Sequence, residues 1–451
     1  MRRLTDPKAG KVSTSQGLQC LRENSTKHLI FTMDLGDSSS MSRFKSYSPD
    51  QAYLLPPSVR DELGANHLCF FVRGVVERLD MSVFELSYGV EGGELYAPRL
   101  MLGVWLYAYA LGITSARQVE RRVVEDLAFR YLAGGERVDN WALSAFRRRH
   151  GRALNDAFTQ LLSTPAAKTC RRGPRLEWAQ SQGMVKLGRV AIDSTRIQAN
   201  ACRDRVNSEQ ALRSTRAALR RQVRSWQQAA DRDDAEPGGL DVAIAELTRA
   251  LDELPRRLER LNKSGLKRLS RTDEDARFLR RRGGFALGYT GEIAVSDDHL
   301  IVAQRVTQNA TDNGSLLPMI DAVNERCGAP PGAALADSGF FSVTNLEQME
   351  QQNIDGYVPD SNLACELNLG VRCRARVYAA SHRRMRAKLR SPAGQAAYAR
   401  RKAVVEPVFG VLKQQRGMRQ FRTRGLEKVK GEFTLATLAY NITRLQALMA
   451  A

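Results

Sequence analysis

VAIDSTRIQAN, residues 190–200, opens on three apolar side chains, Val190, Ala191 and Ile192, that run directly into a carboxylate, Asp193. A short apolar run of this kind reads as a buried strand, with Asp193 at its carboxyl end. Downstream, Ile293 to Val295 and Leu300 to Thr307 read as two further strands, joined as a hairpin across Ser296, Asp297 and Asp298. Leu316 to Val323 has helical spacing, and Ala333 to Ala336 is a fourth strand that again ends on an aspartate, Asp337. The Thr344 to Glu347 spacing predicts a capping box for the next helix, and Tyr357 with Val358 supplies a fifth strand. A basic segment, His382 to Arg390, then leads into the final helices.

Three strands, helix, strand, helix, strand, helix is the order of a ribonuclease-H-like α/β sheet. The expected organisation is a polar, aperiodic arm over 1–41, a helical DNA-binding domain over 42–165, and a catalytic domain over 186–445. Between the first two strands lies a charged insertion, 203–282, split by the turn Pro237, Gly238, Gly239. Leu212, Leu219 and Trp226 repeat by sevens, while Leu247, Leu251, Leu254, Leu258 and Leu261 repeat by fours and threes, so two antiparallel helices would bury these stripes together. Pro255 is expected to kink or divide the second helix. The hairpin is either a dimerisation arm or two helices that pack only on each other.

From Asp50 to about Leu162 the apolar residues, among them Phe70, Val75, Leu79, Leu102, Leu106 and Tyr109, recur near a 3.6 period and predict an all-helical region. The run Arg147, Arg148, Arg149, His150 follows a candidate cap at Asp139. These arginines read either as the recognition helix of a helix-turn-helix aimed at DNA or as a solvated basic face.

Composition agrees with a polyanionic partner. The 451 residues carry 69 Lys and Arg against 49 Asp and Glu, a formal net charge of +20. Such an imbalance favours nucleic acid, although a GC-rich genome also raises arginine content. With 43% hydrophobic residues the chain can build at least one sizeable core unaided. The seven cysteines form no C-x-x-C pair and are expected as reduced thiols; Cys365, Cys373 and His382 fit no standard zinc spacing. The amino terminus lacks the apolar core of a signal peptide, and the expected location is the cytoplasm.

A ribonuclease-H-like site needs carboxylates far apart in sequence that converge in space: one on the first strand, one after the fourth, one on a later helix. Asp193, Asp337 and Glu406 occupy those positions. Two Mg²⁺ ions, with Mn²⁺ as a substitute, held about 4 Å apart by such carboxylates could activate water and stabilise a leaving oxygen. Glu406 lies in VVEPVFGVLKQQ, where Val405, Phe409 and Leu412 define an apolar face and Glu406, Gly410 and Lys413 another. Lys413 would then stand about 10 Å along the axis from Glu406, placed to hold a DNA phosphate. Pro407 reads as the first-turn proline of a helix starting at Glu406.

These motifs resemble a known family. VAIDSTRIQAN, ALADSGFFS (334–342) and the stretch VEPVFGVLKQQRGMRQFRTRGLEKVKGEFTLATLAYNITRL (405–445) look like the DDE transposases of bacterial insertion sequences. LLPPSVRDELGANHLCFFVRGVVERLDMSVFE (54–85) and SAFRRRH (144–150) resemble their InsH-type helical domain. The resemblance implies a transposase that nicks the terminal inverted repeats of its own element and joins the released 3′-hydroxyls to target DNA, acting as a homodimer or larger assembly. The family often carries a Tyr-x2-Arg-x3-Glu-x6-Lys signature. Glu406 and Lys413 match its second half, whereas Tyr398 and Arg401 stand one residue early, with Ala399 and Lys402 in their places. Two alternatives remain open on the residues: a catalytically inactive, DNA-binding descendant, and a plain nuclease of the same fold.

Overall fold

The computed structural model describes residues 58–88, 95–162, 187–203, 205–230, 240–281, 284–370, 377 and 379–450. The expected arm at 1–41, three of the cysteines (Cys20, Cys170 and Cys373) and the stretch at 163–186 lie outside them. Leu63–Ala451 forms one compact unit, and of the other, Met1–Glu62, only 58–62 are described.

The predicted helical region is present as α1 (Leu68–Arg78), α2 (Ser82–Glu85), α3 (Pro98–Ala110), α4 (Ala116–Glu125), α5 (Leu127–Leu132), α6 (Asn140–Arg149) and α7 (Gly151–Leu162). Local chemistry starts several of them: Asp126 accepts from the amides of Ala128 and Phe129, and Asp139 from that of Ala142. Helix α3 opens on Pro98 and is buried over almost its whole length from Met101 to Tyr109, so it forms the centre of this region rather than a surface helix.

The sheet is mixed. Its strands are β1 (Arg189–Gln198), β4 (Arg277–Arg281), β5 (Gly284–Ser296), β6 (Ile301–Thr307), β7 (Ala333–Ala336) and β8 (Asp355–Tyr357). They run in the order β4-β5-β1-β7-β8, with β6 paired to the distal half of β5. Strands β1, β7 and β8 are mutually parallel, and β5 is antiparallel to β1, β4 and β6. One hydrophobic core is continuous from Cys69 in the helical region to Leu445 near the carboxyl end. The helices α10 (Leu316–Cys327), α11 (Val343–Gln351), α12 (Ser361–Leu369), α13 (Ala380–Arg390), α14 (Pro392–Gly410) and α15 (Leu426–Ala450) complete it.

Several local expectations change. Strand β1 continues five residues beyond Asp193, because β5 pairs with it as far as Gln198↔Gly288. The cap of α11 is Ser342, not Thr344; its hydroxyl accepts from the Asn345 amide at 3.0 Å. Helix α14 begins at Pro392 behind a Ser391 cap, which leaves Pro407 in the helix interior and not in its first turn. The proline cannot donate its backbone hydrogen bond, and four residues later the helix widens into a π turn over Val411–Gln415.

The insertion does form a hairpin of α8 (Glu209–Ala230) and α9 (Leu240–Ser264) on a small ribbon, β2 (Val206–Ser208) with β3 (Arg268–Ser270). Leu212, Leu254, Leu261 and Leu269 are its buried centre. Pro255 does not divide α9. The last part of the supposed insertion, β4, belongs to the main sheet through its pairing with β5.

Candidate active site

The parallel ladder between β1 and β7 ends at the pair Ile192↔Ala336. Asp193 and Asp337 are therefore the next residues on two adjacent strands, which stand about 4.8 Å apart. Two carboxylates 144 positions apart in sequence are placed side by side because both strands stop pairing at the same point. A third joins them. A Cβ built on Gly339 would lie 3.0 Å from Oδ1 of Asp337 and 3.3 Å from Oδ2 of Asp312, so both acids stand over one glycine.

Each carboxylate has a donor. Oδ2 of Asp193 accepts from Nη1 of Arg401 at 3.0 Å, and its Oδ1 accepts from the Ser194 amide at 2.7 Å. Oδ1 of Asp337 caps a 3₁₀ turn by accepting from the Gly339 amide. Asp312 accepts from the Ser194 hydroxyl at 2.8 Å and from both terminal nitrogens of Arg196, at 3.0 and 3.2 Å. Burial pushes the Asp193 carboxyl up to about 6, the neighbouring Asp337 charge adds to the rise, and Arg401 opposes it. A carboxyl held up in this way gains from any further positive charge brought beside it.

Helix α14 supplies Arg401 and Tyr398, both buried, with the guanidinium 5.8 Å from the tyrosine ring. Nε of Arg401 is buried without a hydrogen-bond partner among the described residues. Burial raises the Tyr398 pKa. Lys402, in the motif position for arginine, is exposed and donates to the Asn368 side chain at 3.1 Å, whereas the residue beside it, Arg401, reaches Asp193.

Glu406 is exposed, and among the described residues no three acidic, histidine or cysteine side chains stand close enough together to hold a metal ion. Glu406 is thus not gathered with Asp193 and Asp337. At about 100° per residue it points roughly 140° around the helix from Arg401, while Val405 and Val408 turn to the core. The π turn also breaks the regular wheel that would put Glu406 and Lys413 on one face.

Lys413 lies instead in a cleft of about 550 Å³ with Arg196, Arg203, Arg280 and Arg281, beside Ser194 and the exposed ring of Phe285. Burial lowers its pKa, the arginines around it act in the same direction, and Asp193 opposes them. An anion is the natural occupant of this cleft, since no carboxylate lines it among the described residues.

The arginines of α6 divide. Arg147 is buried; its Nη1 donates to the Tyr109 hydroxyl at 2.9 Å and to the Thr114 carbonyl at 2.8 Å, and the guanidinium lies 4.7 Å from the Trp105 ring. It also pairs with the fully buried Glu432 of α15 at 3.8 Å. Arg147 therefore serves as an internal tie and is not presented to DNA. Its spacing from Leu143 and Phe146 places it on the buried face of α6, a signal available in the sequence. Arg148 and Arg149 are exposed. His382 is likewise internal, bonded to Asp360 at 2.9 Å against the ring of Phe341.

Two transposase families match the chain. The family described as "Transposase DDE domain" matches residues 367–446, and the "Transposase domain (DUF772)" matches residues 57–149. Together they are consistent with a DDE-type transposase of insertion sequences. No curated protein and no solved structure matches. The transposase segments contain Tyr398, Arg401, Glu406 and Lys413 at one end and Arg147, Arg148 and Arg149 at the other; Asp193 and Asp337 lie between them. Among the described residues no helix is long and apolar enough to cross a membrane.

Arg196 and Asp312 were not legible as site residues. Arg196 alternates with Ser194 on β1 and could have been placed on the same face, but Asp312 lies in the polar connection before α10, where an aspartate ordinarily reads as a turn former.

Proposed function

We propose that this chain is a DNA transposase that breaks and joins phosphodiesters at the ends of an insertion sequence, on a ribonuclease-H-like core. The observation that carries the reading is the placement of Asp193 and Asp337 just past the last β1–β7 pair, beside a cleft of cations. The order β6-β5-β1-β7-β8, with β1, β7 and β8 parallel, supports the ribonuclease-H-like assignment.

Asp193 and Asp337 offer the hard oxygen ligands that Mg²⁺ or Mn²⁺ prefers, and would hold a divalent ion between the two strands. Such an ion, when bound, supplies Lewis-acid activation of water and of the scissile phosphate. The chain's own groups do the rest. Lys413, Arg280 and Arg281 draw the backbone phosphates into the cleft, and Arg196, locked by Asp312, presents a fixed positive charge at its edge. Arg401 restrains the Asp193 carboxylate and balances its charge.

A second reading, a DNA-binding descendant without chemistry, draws support from the Arg401–Asp193 ion pair and from the exposure of Glu406. Mg²⁺-dependent cleavage of a labelled duplex carrying the element's terminal repeat separates the two. Cleavage by the wild type that is lost in Asp193→Asn, Asp337→Asn and Glu406→Gln supports the transposase reading and restores Glu406 to the site. Loss in the aspartate variants alone leaves a two-aspartate centre. Specific binding without cleavage by the wild type supports the inactive descendant.

A further inference from the structure

A second basic groove lies apart from the carboxylates. It has a volume of about 1060 Å³ and is lined by the junction of α6 with α7, the end of β6 and the start of α15. The junction contributes Arg148, Arg149 and Arg152, all exposed. Strand β6 and helix α10 contribute Arg305 and Arg326, and α15 contributes Lys428 and Lys430. The one acid in the lining among the described residues, Glu427, is paired with Lys430 at 2.7 Å. His150 adds no charge at neutral pH, since burial pushes its pKa down to about 4 and Arg149 acts in the same direction.

These cations come from three separate parts of the chain and rest on a rigid frame. Nη2 of Arg326 donates to Asn155 at 2.8 Å, its Nη1 to the Gln304 carbonyl at 3.3 Å, and its guanidinium lies 5.1 Å from the ring of Phe158. Nη1 of Arg305 makes no hydrogen bond among the described residues and stands 4.0 Å from the buried Glu292 carboxylate, which holds this guanidinium in place. Such a concentration of like charge around an open groove is self-repelling and calls for a polyanion.

We infer that this groove holds the phosphate backbone of double-stranded DNA flanking the cleavage point, and that it leads into the candidate active site. The inference rests on the transposase reading. The groove floor ends at Gln308 and Asn309. Three residues on is Asp312, so at 3.3–3.6 Å per residue the two are at most about 11 Å apart. Between them the Ala310 carbonyl accepts from Nη2 of Arg196 at 3.0 Å. At 3.4 Å of axial rise per base pair, that separation corresponds to about three base pairs. The duplex bound here meets Arg148, Arg149 and Arg152 as phosphate contacts, which makes the junction of α6 with α7 a backbone clamp and not a reader of bases.

The test uses the full chain, a labelled duplex DNA and the triple variant Arg148→Ala/Arg152→Ala/Lys428→Ala, with affinity measured by fluorescence anisotropy across a salt series. The expected result is a salt slope smaller by about three, roughly one per cation removed, with an unchanged thermal unfolding midpoint. Should the triple variant be insoluble, Arg148→Ala alone reads a change of about one. An unaltered slope alongside wild-type DNA binding overturns the groove and leaves the transposase reading intact. No binding of any duplex DNA by the wild type overturns both. Tighter binding to duplex RNA than to DNA of the same length, with the slope loss on RNA, overturns the DNA assignment.

Discussion

Glu432→Gln tests how the two matched transposase segments are held together. The Glu432 carboxylate is fully buried in α15 and accepts from the amides of Arg422 and Thr423, from the Thr423 hydroxyl at 2.7 Å and from the Tyr109 hydroxyl at 3.3 Å. It pairs with Arg147 of α6, whose guanidinium is also buried. Burial alone would lower the pKa of Arg147, but Tyr109 and Glu432 more than offset it and the net direction is upward. Glutamine removes the charge and turns an NH₂ group toward at least one of the donors that the carboxylate satisfied. Breaking a buried pair in this way costs about 3–5 kcal/mol, because the remaining charge is left uncompensated. An unfolding entropy of about 2.1 cal/mol/K per residue gives about 0.8 kcal/mol/K for a unit the size of Leu63–Ala451. The midpoint should therefore fall by about 4–6 °C, read by circular dichroism or calorimetry. In a double-mutant cycle, Arg147→Met should recover part of the loss, since it removes the orphaned guanidinium. A fall of less than about 1 °C, or strictly additive losses, would refute the claim that this pair ties the segments.

Helices α7 and α15 meet backbone to backbone at a second point: a Cβ at Gly431 would lie 2.9 Å from the Cα of Gly151, and neither can yield as a flexible side chain could. Gly431→Ala should destabilise the protein by about 1–3 kcal/mol in denaturant unfolding, and a neutral result would mean that the helices separate freely. The depressed pKa of His150 sets a pH dependence. The unfolded imidazole takes up a proton below about 6.5 while the folded one, packed by Phe84, Phe146 and Tyr88, stays neutral down to about 4. Its contribution is thus lost as pH falls through that window, on the order of 3 kcal/mol at most; a His150→Phe variant should show a correspondingly shallower acid limb.

The residue pattern alone carried a good deal. Apolar periodicity placed the helices of 68–162, and the runs before Asp193 and Asp337 placed two buried strands, because burial on both faces leaves a continuous apolar signature. The insertion's leucine stripes likewise announced a helical pair. These are local properties, set by which side of an element must leave water.

What needed the tertiary structure were the relations between elements. The end of the β1–β7 ladder, a matter of strand register, put Asp193 beside Asp337. The path of the connection after β6 brought Asp312 and Arg196 to the same place. The π turn after Pro407 takes Lys413 off the face that a regular helix would share with Glu406, while Arg401, earlier on the regular part of α14, is the group that meets Asp193. Arg147 was chosen for the interior because a buried carboxylate 285 positions later met it. A charge pattern in one helix shows that a cation is present, but whether it faces DNA or a buried partner depends on which distant segment packs against it and excludes water.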